Sequence, residues 1–163
     1  MKVKNHIIIK DNFFDEKTLK KIQHELSHLN FINRSLSVDK DKNNNNSNQL
    51  TYFNVDLDVN HFAVKEVLKN LKYYFNKDIY PCANFYFLSG KHTKSTTHID
   101  KNTFNCLIYL KGKYLINSGT GFYDYNEDKD ISTLNTHVGF KENRAIIFDA
   151  KIYHASLQFN ENC

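Results

Sequence analysis

The second half of the chain constrains the fold most, because it is a succession of short strand-like runs. From Asn84 onward no helical period of useful length occurs, and polar turns separate the runs. The runs cover residues 84–88, 104–110, 120–124, 136–140, 145–149 and 152–159. Many short strands at close spacing are typical of a β-sandwich or jelly roll.

Two helical segments precede this β-rich half. A helix is predicted to begin near Asp15, because apolar residues then recur at spacings of three and four, at Leu19, Ile22, Leu26 and Leu29. A second helix fits residues 61–75, and short extended runs fit 7–9, 31–38 and 50–55. The pattern predicts a mostly β protein with N-terminal helices (α+β), in which the helices buttress a closed sandwich or jelly roll.

Length and composition limit the class of protein. A chain of 163 residues predicts one domain, with a supporting region over 1–80 and a β core over 81–163. The net charge of +4 is spread without a basic stripe, so nucleic-acid binding is not favoured. No apolar stretch suits a signal peptide or membrane span, and three cysteines without C-x-x-C spacing favour a reducing compartment. We therefore expect a cytoplasmic protein.

One triplet in the β-rich half has metal-ligand chemistry. On a strand, His98 and Asp100 would point to the same side because side chains alternate. A third ligand, His154, would complete the set of two imidazoles and one carboxylate found in non-haem Fe(II) oxygenases. With 8 His and 18 acidic residues, a His-x-acid triplet arises about once by chance. From spacing alone, two unrelated, hydrogen-bonded histidines remain an open alternative.

Residues 84–156 also resemble a known family over four ordered segments. These are 97–100 (THID), 106–110 (CLIYL), 119–124 (GTGFYD) and 143–149 (NRAIIFD) leading to 154–156 (HAS). Together they resemble the double-stranded β-helix (jelly roll) core of Fe(II)/2-oxoglutarate-dependent oxygenases, especially the prolyl-4-hydroxylase-like branch and its phage and viral relatives. Residues 11–16 (DNFFDE), which enter the first helix, resemble the usual opening of that family.

The resemblance implies an enzyme and assigns roles to particular residues. His98, Asp100 and His154 would bind Fe(II), and the co-substrates 2-oxoglutarate and O2 would take the other coordination positions. The enzyme would hydroxylate an unactivated C–H bond. Tyr109 would hydrogen-bond the far carboxylate of 2-oxoglutarate. Asn105, on the same strand face, and Tyr86, on the preceding strand, would line the pocket.

The sequence departs from the family at one functional position. Members of this branch place an Arg or Lys after the distal histidine, whereas no basic residue follows His154 here. Lys111 is predicted to anchor the co-substrate instead, and Lys113 lies one step further on the same face. The alternatives are a chain that lacks its last core strand and a relative that has lost co-substrate binding.

The substrate is predicted only by class. Polar loops at 39–50 and 125–135 are expected to form the substrate mouth, and the resemblance favours a small molecule or a peptide, with a prolyl or other amino-acid side chain as the target. If the protein is viral, it would act in the host cytoplasm. A non-catalytic jelly-roll binding protein is the main alternative. A cupin-type metalloenzyme is a third, although the extra histidine expected near His98 is missing.

Overall fold

The computed structural model describes residues 6–33, 52–81, 83–89, 96–126 and 131–157, and these form two helices and nine strands. In chain order the elements are β1 (Ile7–Lys10), α1 (Glu16–Ser27), β2 (Ile32–Asn33), β3 (Tyr52–Asp56), α2 (Phe62–Phe75), β4 (Phe85–Ser89), β5 (Phe104–Tyr109), β6 (Leu115–Asn126), β7 (Ile131–Phe140), β8 (Arg144–Asp149) and β9 (Tyr153–Leu157). The predicted mouth loop at 39–50 lies outside the described residues. Neither helix is both long and apolar enough to cross a membrane.

The strands form three antiparallel sheets with the orders β1-β8-β5, β7-β6-β9 and β2-β3-β4. In the first sheet, β8 lies in the centre and pairs with β1 on one side and β5 on the other. Because side chains alternate along a strand, β8 serves two apolar layers. Ala145 and Ile147 belong to one layer, and Ile146 and Phe148 to the other.

The layer that contains Ile146 and Phe148, here called the inner layer, lies between the first sheet and the β7-β6-β9 sheet. Its buried members come from four strands of the two sheets: Tyr109, Phe122, Val138, Phe140, Ile146 and Phe148. Two edge-to-face or tilted ring pairs lie within it, Tyr109 with Phe140 at 4.6 Å and Phe122 with Phe148 at 5.0 Å between centroids. The two sheets therefore face each other across an aromatic layer.

The helices cover the opposite face of the β1-β8-β5 sheet. Leu19, Ile22 and Leu26 of α1 are buried against Ala145 and Ile147, as the apolar spacing predicts. The Asp15 carboxylate caps this helix by accepting hydrogen bonds from the backbone N–H and hydroxyl of Thr18. The prediction of a mostly β fold with N-terminal helices is confirmed.

Two local predictions differ from the structure. Residues 98–100 do not form a strand, since only His98 makes an isolated bridge. The strands β6 and β7 extend further than predicted, because β6 already begins at Leu115 and residues 124–126 continue the backbone pairing with residues 131–133. Of the predicted run at 31–38, residues 32–33 form β2 and the rest lie outside the described residues.

A single buried asparagine joins the N-terminal segment to the turn between β7 and β8. Asn143 has a left-handed backbone (φ 62°), and its amide side chain accepts from the Phe14 N–H and donates to the Phe14 carbonyl. Its backbone N–H donates to the backbone carbonyl of Tyr109, and its own carbonyl accepts from the backbone N–H of Phe13. Asparagine suits this position because it tolerates the left-handed conformation and both donates and accepts.

We predict that Asn143→Ala lowers the free energy of unfolding by about 3 kcal/mol, because it leaves two buried polar groups of Phe14 unpaired and strains the backbone. Asn143→Gly should recover about 1 kcal/mol of that loss, since glycine adopts the left-handed conformation freely. Chemical denaturation of the three proteins measures both differences. A change below about 0.5 kcal/mol on Asn143→Ala, the size of a neutral surface substitution, would contradict this role for the asparagine.

An ion cluster lies beside Asn143. The carboxylate of Asp11 accepts from Arg144 Nε at 2.6 Å and Nη2 at 3.1 Å, and from Lys141 Nζ at 2.8 Å. The hydrogen bonds from Arg144 and then Lys141 hold the pKa of Asp11 well below its usual range. The guanidinium of Arg144 is the least exposed of the three charged groups. Loss of its partner Asp11 would leave a partly buried charge unpaired, which destabilises the fold.

The stability difference between the wild type and Asp11→Asn is expected to depend on pH. Since the folded-state pKa is lower than the unfolded value of about 3.9, the ionised carboxylate stabilises the folded protein fully above that pH. This stabilisation is lost as the pH falls through the folded pKa. Denaturation between about pH 7 and pH 2 should show the difference shrinking below about pH 4. A difference that grows with acid would show that Asp11 is not the group responsible.

Candidate metal centre

His98 and His154 are direct partners across two antiparallel segments. The His98 N–H donates to the His154 carbonyl at 3.0 Å, and the His154 N–H donates to the His98 carbonyl at 2.9 Å. Residues paired in this way carry their side chains on the same face. The two imidazole centroids accordingly lie 4.5 Å apart.

Asp100 reaches the same place through the turn between β8 and β9. Its backbone N–H donates to the Ala150 carbonyl at 2.8 Å, and its carbonyl accepts from Lys151 Nζ at 2.9 Å. This turn leads directly into β9 and therefore into His154. The potential ligand atoms of His98, Asp100 and His154 all lie within 4.8 Å of one another. The three residues singled out in the sequence are thus brought together by backbone pairing and by a turn.

Both imidazoles have a backbone contact that favours the tautomer in which Nε2 can bind a metal. His98 Nδ1 lies 2.8 Å from the Thr96 carbonyl, and His154 Nδ1 lies 2.9 Å from the Ile152 carbonyl. Because a carbonyl oxygen only accepts, each Nδ1 must carry the proton, which leaves the Nε2 lone pair available. Metal-bound histidines in proteins are oriented in this way by a partner on the other ring nitrogen.

The contact between His154 and Asp100 brings two hydrogen-bond acceptors together when the imidazole is neutral. Nε2 of His154 lies 3.3 Å from Asp100 Oδ2, and in the assigned tautomer neither atom carries a proton. Burial lowers the pKa of His154, helped by His98, although the Ile152 carbonyl and Asp100 act in the opposite direction. The neutral imidazole favoured by burial is the form that binds metals. Two lone pairs that converge in this way are relieved by a metal ion or a proton.

An apolar wall and one amide border the cluster. The Phe148 ring packs edge-on against the His154 ring at 4.8 Å. Asn105, on the inner face of β5, donates from Nδ2 to Asp100 Oδ2 at 2.6 Å. Asn105 was predicted to line a co-substrate pocket, and the structure places its amide on a candidate metal ligand.

Tyr109 lies on the same face of β5, two side chains further along. It is buried, and its hydroxyl is 2.8 Å from Thr120 Oγ1 and 3.5 Å from the Val138 carbonyl. Burial raises the pKa of Tyr109 to about 12, so the hydroxyl stays neutral at physiological pH. A buried pair of hydroxyls can reorient to donate to an anion.

Sequence reasoning missed a basic residue beside Tyr109. Arg144 is the register partner of Tyr109 in the β5-β8 pair, and its Nη1 donates to the Gly139 carbonyl at 2.8 Å. Tyr109 and Arg144 therefore contact the carbonyls of consecutive residues. The available signal was the alternation of β8, which puts residue 144 on the same face as Ile146 and Phe148.

The structure places the other predicted pocket residues elsewhere. Lys111 and Lys113 follow β5 and are exposed. Tyr86 is half-buried, packs beside Phe31 and belongs to the helix-side layer, on the other face of the β1-β8-β5 sheet from Tyr109. In the predicted mouth at 125–135, residues 127–130 lie outside the described part of the chain and the remainder belongs to the β6-β7 pair.

Solved structures share this fold. The structure of AviO1 from Streptomyces viridochromogenes matches with a TM-score of 0.57 at 12% identity, covering 96% of this chain and 84% of that one. A prolyl-4-hydroxylase from Pseudomonas putida matches with a TM-score of 0.58 at 10% identity, covering 96% of this chain and 87% of that one. No protein-family model and no curated protein matches the sequence. The similarity establishes an oxygenase-like fold, and the activity must be argued from the site.

We predict that a divalent metal raises the melting temperature of the wild type under anaerobic conditions, because a ligand that binds only the folded state stabilises it. His98→Ala and Asp100→Ala should each remove most of this shift, since two ligands bind far more weakly than three. His6→Ala, which alters an exposed histidine before β1, is the matched control. Thermal shifts with Mn(II), Co(II) and Fe(II) measure the effect, and equal shifts in all four proteins would place the metal elsewhere.

Proposed function

We propose that the chain is an Fe(II)- and 2-oxoglutarate-dependent dioxygenase with a double-stranded β-helix (jelly roll) core. The observation that carries this proposal is the convergence of two Nε2 lone pairs and one carboxylate at His98, His154 and Asp100. The oxygenase-like fold and the two facing sheets support it.

The donor set fits Fe(II). Two imidazoles and one carboxylate are the ligands of non-haem iron oxygenases, and they leave coordination positions for other molecules. With one carboxylate, an Fe(II) site keeps a single positive charge, which suits an anionic co-substrate. When bound, Fe(II) supplies the activation of O2 that no side chain provides. The protein's own part is to hold the ligands in position and to exclude water with Phe148 and Phe122.

Tyr109, Thr120 and Arg144 would recognise the far carboxylate of 2-oxoglutarate. The two hydroxyls offer hydrogen bonds inside the aromatic layer, and the guanidinium adds positive potential next to them. Arg144 replaces Lys111 in this role because it lies on the inner face, whereas Lys111 is exposed. A partly buried cation attracts a carboxylate more strongly than an exposed one does.

The proposed reaction is hydroxylation of an unactivated C–H bond. The fold is shared with a protein named as a prolyl-4-hydroxylase, so a prolyl or other amino-acid side chain of a peptide is the proposed substrate class. Fe(II) is maintained in a reducing compartment, which agrees with the proposed cytoplasmic location.

One observation favours a second candidate, a non-catalytic binding protein that retains the metal site. The carboxylate of Asp11 already occupies two nitrogens of Arg144. A guanidinium paired with an internal carboxylate is partly neutralised. If that pairing persists in solution, the pocket would hold a metal without a dicarboxylate.

We predict that purified protein with Fe(II) converts 2-oxoglutarate to succinate in air. Tyr109→Phe should raise the Michaelis constant for 2-oxoglutarate by roughly tenfold to a hundredfold, the cost of one hydrogen bond to a charged group. Tyr73→Phe, at an exposed tyrosine of α2, is the matched control. Succinate is measured in each protein over a range of 2-oxoglutarate concentrations.

The result separates the two candidates. Metal binding without succinate, and without any 2-oxoglutarate-dependent rise in melting temperature, would contradict the dioxygenase and support the binding protein. An unchanged Michaelis constant in Tyr109→Phe would exclude Tyr109 from co-substrate binding.

A further inference from the structure

We propose that Asn105 is a positioning residue of the metal centre, whose amide holds the carboxylate of Asp100 in the orientation that completes the ligand set. This role rests on the metal centre proposed above. It would make metal affinity depend on a side chain that is not itself a ligand.

Each of the three candidate ligands has one further partner. Carbonyl oxygens of Thr96 and Ile152 accept from the imidazole Nδ1 atoms. The carboxylate of Asp100 instead receives a hydrogen bond from Asn105 Nδ2, at 2.6 Å. Each imidazole thus donates to a hydrogen-bond acceptor, and the carboxylate accepts from a hydrogen-bond donor. Every partner therefore complements the side chain that it contacts.

Asp100 requires such a partner more than the buried His154 does. Its backbone is anchored at Ala150 and Lys151, but it belongs to no strand. Its side chain is 38% exposed, against 10% for His154. A half-exposed side chain samples several rotamers and must lose that freedom when it binds a metal. Fixing the carboxylate in advance removes this cost from the binding step.

The backbone of Asn105 is anchored in the sheet, so its amide can hold the Asp100 carboxylate in place. It lies within β5 and pairs in register with Phe148 of β8, so its backbone is tied to the central strand of the sheet. Phe148 in turn packs against His154. One strand pair therefore sets the distance between the carboxylate holder and a second ligand.

The chemistry of the amide matters as much as its position. A neutral N–H donor orients the carboxylate and leaves its negative charge available for a cation. A lysine or arginine here would form an ion pair with Asp100 and compete with the metal. The amide donates to Oδ2 of Asp100, which is the oxygen that lies 3.3 Å from His154 Nε2. It therefore orients the oxygen that lies nearest to a second candidate ligand.

The experiment compares two substitutions that remove the donor. Asn105→Ala deletes the amide, and Asn105→Leu replaces it with an apolar group of nearly the same shape, which suits neighbours such as Leu107 and Phe148. The control is Asn135→Ala, because Asn135 Nδ2 donates to Asp124 Oδ2 at 2.7 Å in an exposed pair outside the metal cluster. Chemical denaturation of the metal-free proteins confirms that each variant is folded.

Metal affinity is measured on the metal-free proteins by titration with Co(II), followed through its d–d absorption. Both Asn105 variants should bind Co(II) roughly ten- to a hundredfold more weakly than the wild type. Their absorption bands should also change shape, because a carboxylate that is no longer held coordinates differently. Asn135→Ala should match the wild type in affinity and spectrum.

The possible failures are distinguishable. If the wild type binds no Co(II), the metal centre itself is wrong, and the role of Asn105 is overturned with it. If the wild type binds and both Asn105 variants match it within twofold, with the same spectrum, the metal centre stands and Asn105 has no positioning role. Weaker binding in Asn135→Ala as well would assign the effect to general destabilisation and overturn the proposal.

Discussion

The candidate site depends first on the reciprocal backbone hydrogen bonds between His98 and His154. These bonds join a segment outside the regular strands to the edge of the β7-β6-β9 sheet, and they put both imidazoles on one face. The turn from β8 to β9 then binds the backbone of Asp100. Ligands from distant parts of the sequence therefore meet through main-chain contacts, which do not depend on the identity of the intervening side chains.

The two faces of β8 contact different parts of the fold. One face packs under the helices and contributes to stability, whereas the other lines the space between the sheets and ends near the metal cluster. At the start of β8, hydrogen bonds from Asn143 and Arg144 join the strand to the N-terminal segment. At its end, the turn holds Asp100. A single apolar strand thus lies between the polar contacts to the N-terminal segment and the turn that holds a candidate metal ligand.

Local periodicity predicted most of this architecture and part of the site. The burial of Leu19, Ile22 and Leu26 follows from helical spacing, and the shared face of Asn105 and Tyr109 follows from strand alternation. Strand alternation was, however, the wrong reason to bring His98 and Asp100 together, because long-range pairing does so. The alternation of β8 could have placed Arg144 on the inner face, but no local pattern reports its contact with Asp11, which is 133 residues away.

The central position of β8 links correct folding to the assembly of the site. A strand that slips by one residue exchanges its two faces. In β8 that slip would turn Ile146 and Phe148 toward the helices, remove the wall beside His154 and displace the turn that anchors Asp100. A mispaired chain would keep much of its secondary structure yet lose its ligand geometry. Metal binding would therefore depend on the correct strand register, since only the correctly paired chain presents the three candidate ligands together.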